Sequence, residues 1–355
     1  MTRTGRRRWF KRIEDSTITD HEQMNISIIV PVRDEQRTIR GLLENLLAQS
    51  RTPDEIVITD GGSTDSTRSI IAEYIANGAA IRLIEADDAL PGRGRNLAAS
   101  AARFEWLAFI DAGVVPNRDW LELLAAKAEG DKSIDVVFGS WTPITDSFFK
   151  ECAAIAYVPP AIVSDGFYVR PRFIASAMMR RAVWHAVGGF PEHLRSGEDL
   201  VFMKRVEEQS YRTVFEPRAM VHWEIKPSFS ATFSRFVTYS RNNIRAGLWR
   251  NWQSRIITRY SVIVLLGLPS FVFGLSVLLL PLIIWIGMLM TRAVVSLRRN
   301  RFCYPATIGR NVGRMFLLTP LIAVIDAAAI AGTIQWLFKD SFRHSQRSVE
   351  AGDGA

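Results

Sequence analysis

From Asn25 onward the chain alternates two hydrophobic periods, and this alternation restricts the fold more than any other feature. Ile26-Ser27-Ile28-Ile29-Val30 is a continuous β-branched run closed by Pro31. Ile39, Leu42, Leu43, Leu46 and Leu47 then recur at helical spacing, with Pro53 in the turn beyond. Ile56-Val57-Ile58 reads as a second buried strand, and Ile70, Ile71, Tyr74 and Ile75 mark a second helix ending before Gly78. Residues 81–84 and 106–110 supply further strands. Strands apolar on both faces, separated by helices, need cover on both sides. The expected fold class is therefore α/β with a mostly parallel central sheet.

Carboxylates cluster where these strands end. Asp34 and Glu35 follow the first strand, Asp60 the second, and Asp111 the run Trp106-Leu107-Ala108-Phe109-Ile110. Open α/β sheets bind ligands just beyond such ends. Ala112 and Gly113 leave room beside Asp111 for a bulky anion, and a carboxylate there can hold a divalent cation against phosphates. A solvated turn aspartate is the plainer alternative. Gly61 and Gly62 permit close backbone approach, while Ser63, Thr64 and Asp65 offer helix caps. Asp60 can accept from a ring N–H or a sugar hydroxyl, or simply precede the cap.

Gly92-Arg93-Gly94-Arg95-Asn96-Leu97-Ala98 has the spacing of a dinucleotide loop, but it follows Asp87-Asp88-Ala89-Leu90-Pro91 instead of a strand. That reading is rejected. Arg93 and Arg95 are placed to meet phosphate charge. Residues 173–179 read as a strand, followed by a helix and Gly188-Gly189-Phe190-Pro191. Glu198 and Asp199 then open a helix after Ser196-Gly197. Such acids serve the helix dipole, or act as a general base toward an acceptor hydroxyl. His222 ends another apolar run and is either structural or a cation ligand.

The last third of the chain is different. Residues 261–290 hold no charged side chain, and residues 315–338 hold only Asp326. Both stretches are long enough to cross hydrocarbon. Between them stand Arg292, Arg298, Arg299, Arg301, Arg310 and Arg314 without an acid, which points that loop to the cytoplasm. A stretch short for two crossings, broken by Gly267, Pro269, Gly274 and Pro281, is expected to form a re-entrant hairpin. Residues 229–259 interleave Phe229, Phe233, Phe236, Val237, Ile244 and Leu248 with arginines, and add Trp249 and Trp252, as an interfacial helix would. The net charge of +8 raises nucleic acid as a partner. The arginines flank apolar segments, however, so anionic membrane lipids are expected and nucleic acid is not. Cys152 and Cys303 are too far apart for a metal knuckle and suggest no disulfide framework.

The ordered motifs over residues 25–222, slightly over half the chain, resemble the family-2 inverting glycosyltransferases of the GT-A fold. The resemblance runs through Ser27 to Glu35, Thr59 to Asp65, Gly94-Arg95-Asn96, Phe109 to Gly113, Val187 to Phe190, Gly197-Glu198-Asp199 and His222. It implies a nucleotide-diphospho-sugar transferase domain over residues 25–228. A basic tail (1–24) would precede it, and interfacial helices (229–259), membrane segments (260–340, with the basic loop 291–314) and a flexible tail (341–355) would follow. It implies Asp60 on the nucleotide base, with Pro31, Val32 and Asp34 around the uridine-type moiety. Arg95 and Asn96 would lie near the diphosphate or sugar. Asp111, joined by His222, would hold a divalent metal (Mn2+ or Mg2+), and Asp199 beside Glu198 would be the catalytic base. Gly113 departs from the family pattern where a second carboxylate usually stands. The Gln-x-x-Arg-Trp motif of processive synthases is also missing.

The expected activity is transfer from a UDP- or GDP-sugar to a hydroxyl of a membrane-associated glycolipid or polysaccharide precursor. The catalytic domain would face the cytoplasm at the inner membrane. A polyprenyl-phosphate glycosyltransferase and a catalytically silent scaffold are the alternatives.

Overall fold

The computed structural model describes residues 24–164, 166–250 and 253–341. The basic tail, Trp252 and the C-terminal tail from residue 342 lie outside the described residues. An eight-stranded sheet forms the centre. Its strands are β1 (Ile26–Val32), β2 (Glu55–Asp60), β3 (Ile81–Glu85), β4 (Trp106–Phe109), β5 (Val114–Pro116), β6 (Val136–Ile144), β9 (Ala177–Arg180) and β10 (Thr213–Glu224). The order across the sheet is β3-β2-β1-β4-β9-β6-β10-β5. β3, β2, β1 and β4 run parallel, as the alternation predicts. β9 runs antiparallel to both β4 and β6, β10 lies parallel to β6, and β5 closes the edge antiparallel to β10. A separate hairpin pairs β7 (Ile162–Ser164) with β8 (Phe167–Val169).

Pro31 continues β1 instead of closing it. Ile29 shares its parity along the strand, and the Ile29 carbonyl accepts from Ile110 N–H on the β4 side. The donor that proline lacks therefore faces the side where β4 has already stopped pairing, so no ladder bond is lost. Residues 174–176 form a 3₁₀ turn instead of strand, and β9 starts only at Ala177.

Two cores cover the sheet. α1 (Ile39–Leu47), α2 (Thr67–Ala76), α4 (Trp120–Gly130) and α5 (Phe148–Tyr157) pack on one face. α3 (Pro91–Ala101), α6 (Arg181–Ala186) and α7 (Glu198–Glu207) pack on the other. Glycine lets α3 settle close. A Cβ on Gly92 would stand 2.2 Å from the Pro191 carbonyl oxygen, and one on Gly94 3.1 Å from the Pro31 Cβ. That approach brings the next residue, Arg95, over the ends of β1 and β4.

α8 (Phe229–Arg245) carries the apolar and arginine pattern assigned above to a membrane interface. Its burial has a protein explanation. Phe236 meets Tyr157 with ring centroids 5.0 Å apart, and Ser240 donates to the Ala329 carbonyl at 2.7 Å. The uncharged run folds as α9 (Gln253–Gly267), the short α10 (Ser270–Phe273), a 3₁₀ turn at Leu275–Leu278, and α11 (Leu279–Arg299). The breaks fall at Pro269 and Gly274, and Gly274 has φ 90°, a conformation that favours glycine. Trp285 donates to the Tyr260 hydroxyl, and Leu278 lies against Gly267. α9 and α11 therefore run back along each other as a helical hairpin. α12 (Ile308–Trp336) follows and continues into a π-helical turn. Ser276–Arg299 and Ile308–Asp340 are the two helices among the described residues that are apolar and long enough to cross a bilayer.

The basic loop is shorter than expected, because α11 runs on through Arg299 and α12 begins at Ile308. Half of its six arginines also have acids that sequence proximity conceals. Arg292 pairs with Asp326 on α12, while Arg310 and Arg314 pair with Glu151 on α5.

Candidate active site

A cleft of about 1120 Å³ opens at the carboxyl ends of β1, β2 and β4. Pro31, Val32, Asp34, Arg95, Asp111, Glu198 and Asp199 all line it, as expected from the sequence. Gly197 precedes α7 with φ 81°, which allows the chain to turn sharply and start a helix directly on two acids.

Arg95 organises this cleft. Only 3% exposed, it donates from Nη1 to Glu198 Oε1 at 2.7 Å and from Nη2 to Asp111 Oδ1 at 2.6 Å. Its guanidinium also lies 5.4 Å from the centre of the Phe190 ring. Burial disfavours its charge, but the Asp111 and Glu198 carboxylates more than offset this and push the guanidinium pKa up. The sequence reading gave Arg95 to phosphate. Here two of its donors already serve the site's own acids, so it orders them. Arg93 on the same helix is exposed and does not line the cleft.

Asp199 stands beside this ion-paired triad. Its Oδ1 accepts from the Leu200 N–H at 2.9 Å. Burial pushes its carboxyl up to about 7, the Glu198 charge adds to the rise, and Arg95 opposes it. A carboxylate with that affinity for protons takes one from a hydroxyl far better than an ordinary aspartate does. Glu35, which had no role in the sequence reading beyond its place after the first strand, also lines the cleft. Burial raises its carboxyl, the Thr38 hydroxyl and Lys226 oppose this, and the Asp111 charge adds to the rise.

Three expected site residues occupy other positions. Asp60 is fully buried and absent from the cleft lining. Its oxygens accept from Gly62 N–H, Ser63 N–H and hydroxyl, and Arg68 Nε. Burial would raise its carboxyl, but the Ser63 and Arg68 hydrogen bonds hold it below the ordinary range. Through these bonds Asp60 shapes the loop from Gly61 to Thr64. Asn96 also turns away from the cleft. It donates to the Phe190 carbonyl and Glu192, and accepts from Phe190 N–H and Trp184 Nε1. It therefore pins the turn at 188–191, where a Cβ on Gly189 would strike its Oδ1 at 2.7 Å.

His222 is the third. It sits on β10 opposite Val115, bonds Asn117 Oδ1 at 3.0 Å, and is not among the cleft residues. The alternation of β10 sends Trp223, not His222, into the cleft. No cluster of three or more metal-ligating side chains occurs among the described residues. Beside Asp111, a Cβ built on Gly113 meets nothing within 4 Å, so the position of the missing carboxylate is open space. Asp111 thus has no carboxylate two residues on, and open space where one would stand.

Known proteins resemble this chain both in sequence and in fold. Residues 27–184 match the model of Glycosyl transferase family 2. The chain carries a family-2 glycosyltransferase domain of GT-A-like fold. It is 27% identical over 184 residues to the O-antigen chain rhamnosyltransferase WbaN of Salmonella anatum, covering 49% of this chain and 57% of that one. It is 25% identical over 207 residues to the glycosyltransferase AglE of Haloferax volcanii, covering 54% and 64%. The chain thus matches less than two thirds of either relative's length. Among solved structures, the mannosyltransferase PcManGT of Pyrobaculum calidifontis, in complex with GDP-Man and Mn2+, has a TM-score of 0.57. It covers 89% of this chain and 88% of its own at 18% identity, a likeness of fold.

Arg95→Leu should test the hub. Removing one partner of a buried ion pair leaves Glu198 uncompensated and costs about 3–5 kcal/mol. Glu198→Gln, which keeps an oxygen for Arg95, should cost less. Chemical denaturation of both variants checks the order, and equal losses would refute it.

Proposed function

We propose that the protein is a membrane-attached inverting glycosyltransferase. It moves a sugar from a nucleotide-sugar to a hydroxyl of a membrane-associated glycan or lipid precursor. One observation carries this reading: Asp199, at the start of α7, shares a cleft with the Arg95–Asp111 pair and the β1 end. The nucleoside lies along Pro31, Val32 and Asp34, and Asp111 faces the diphosphate. Asp199 takes the acceptor hydroxyl's proton as that oxygen attacks the anomeric carbon. The bond from this carbon to the diphosphate oxygen breaks on the opposite face. The configuration inverts, the nucleoside diphosphate leaves with the bonding pair, and Asp199 returns its proton to solvent. A divalent cation bound at Asp111 would neutralise charge on the departing diphosphate. The GDP-Man and Mn2+ held together in the PcManGT complex support both a nucleotide-sugar donor and a metal.

Attachment to a membrane is supported by apolar side chains that no protein covers. On α11, Leu279 is 61% and Ile283 65% exposed. Patches of that kind mark lipid or partner contacts. A hairpin that returns to its own side would keep Arg298, Arg299 and Arg301 with the catalytic domain, consistent with a cytoplasmic face.

Asp199→Asn should lower transfer by about a hundred- to ten-thousand-fold, the usual cost of losing a general base. Calorimetry should show nucleoside diphosphate affinity nearly intact. The same variant has a signature independent of activity. Because the folded carboxyl is raised to about 7, its stabilising contribution is present below the ordinary aspartate range and lost as pH rises through 7. The Tm of Asp199→Asn relative to wild type should therefore be higher at pH 8 than at pH 5. Wild-type transfer rates in the variant would remove Asp199 from the chemistry.

Gly113→Asp places a second carboxylate in open space, at a residue outside the positive-φ set. It should strengthen the Mn2+ dependence of nucleoside diphosphate binding by about tenfold with little change in Tm. Unaltered metal dependence would show that the cation, if used, lies away from Asp111.

A further inference from the structure

The cleft has a further cationic group that the reaction above does not use. Arg235 on α8 lies over the Trp223 ring at 4.8 Å and the Tyr239 ring at 5.9 Å. Its Nη1 is buried and makes no hydrogen bond, and among the described residues no carboxylate pairs with it. Arg95, in the same cleft, holds two carboxylates. A buried guanidinium donor without an acceptor is costly unless a ligand supplies one. Beside it, the Tyr157 hydroxyl of α5 is also buried and makes no hydrogen bond of good geometry, with the Arg235 guanidinium and the Lys226 N–H as its neighbouring donors. Burial pushes this phenol up to about 12, although the Arg235 charge and those donors pull the other way, so it keeps its proton. Donors converging on one point suit the oxygens of one anion.

We propose that Arg235 and Tyr157, with Tyr239 closing the site, bind a phosphate of the acceptor. The hydroxyl offered to Asp199 then belongs to an acceptor tethered to lipid through a phosphate or diphosphate. This rests on the glycosyltransferase reading and narrows its substrate.

Two observations place the anion on the acceptor side and tie it to lipid. Arg235, Tyr239 and Asn243 are spaced four apart, so they share one face of α8. That face leads to the turn before α7, where Asn243 Oδ1 stands 3.4 Å from a Cβ built on Gly197. Tyr239, which Arg235 overlies, lines the same cleft as Asp199. The opposite face of α8 packs on α12, with the Val237 carbonyl oxygen 2.5 Å from a Cβ built on Gly332. α12 in turn holds the apolar hairpin through Arg292 and Asp326. One helix therefore joins the phosphate subsite to the surface expected to meet lipid, which a free phosphate would not require.

The test uses the full chain in detergent micelles, with farnesyl diphosphate, farnesol, inorganic pyrophosphate, UDP and GDP as probes. Wild type should bind farnesyl diphosphate about tenfold or more tighter than farnesol or pyrophosphate. Arg235→Gln should lose about tenfold for farnesyl diphosphate and leave UDP, GDP and farnesol unchanged. Tyr157→Phe, which removes one oxygen and leaves the packing, should lose about threefold to tenfold and keeps the test open if Arg235→Gln fails to fold. Wild-type affinity in both variants overturns the proposal. A parallel loss for UDP or GDP gives the arginine to the donor, and pyrophosphate binding as tightly as farnesyl diphosphate removes the lipid. A parallel loss of retention on phosphatidylglycerol vesicles assigns the anion to bulk headgroups. Each of these also overturns the proposal. None bears on Asp199→Asn, so the two readings fail separately.

Discussion

The buried guanidinium of Arg95, bonded at once to Asp111 and Glu198, is the interaction on which the site depends. It links three segments distant in sequence: α3, the end of β4 and the start of α7. It sets one cation between two acids that converge on the cleft, and the combined field of all three acts on Asp199. Arg95 opposes the rise in Asp199 but does not cancel burial and the Glu198 charge. The result is a carboxyl raised toward neutrality beside an ion-paired cluster, as a general base requires. Gly94 makes this possible, since a side chain there would hold α3 away from Pro31.

Most of the sheet was legible because its signal is local. The runs at 26–30 and 56–58 and the helix at 39–47 appear where periodicity placed them. Residues 174–176 read as strand because apolar content alone does not separate a 3₁₀ turn from an extended segment. Asp34, Asp111, Glu198 and Asp199 were also visible from their positions at strand and helix ends, Arg95 as a partner for phosphate, and Pro31 and Val32 through the family resemblance. What a sequence does not reveal is where polar atoms are spent. Asp60 and Asn96 looked available in sequence, yet hydrogen bonds to Arg68 and to the 188–191 turn occupy them. His222 was assigned from motif order, but a one-residue alternation along β10 gives the cleft to Trp223. Arg235 was hidden among five arginines of a segment that reads as amphipathic, and only its unpaired Nη1 distinguishes it.

The helical appendage follows the same logic at larger scale. Sequence shows two apolar stretches and a cluster of arginines, and gives no hint of which acids answer them. Asp326, the one charge within its apolar stretch, is fully buried against Arg292, with the Tyr260 hydroxyl at 3.2 Å. An ion pair so placed fixes the hairpin against α12 at one register, since any slip would strand both charges. Arg241 and Asp340 make a similar clasp between α8 and the end of α12 at 2.8 and 2.9 Å. α8, whose Arg235 and Tyr239 line the cleft, is therefore joined through α12 to the apolar hairpin by specific polar contacts as well as by close packing.

The pH dependence of kcat/KM for sugar transfer is the most direct test of Asp199 as the base. Asp199 must be ionised to act, so the rate should fall on the acid side with a limb near pH 7, far above the ordinary aspartate range. Glu198→Gln should move that limb to lower pH, because it removes the like charge and leaves burial unchanged. A profile level between pH 5 and 8, or a limb that Glu198→Gln leaves in place, would contradict the claim that Asp199 is the base and that its neighbours set its proton affinity.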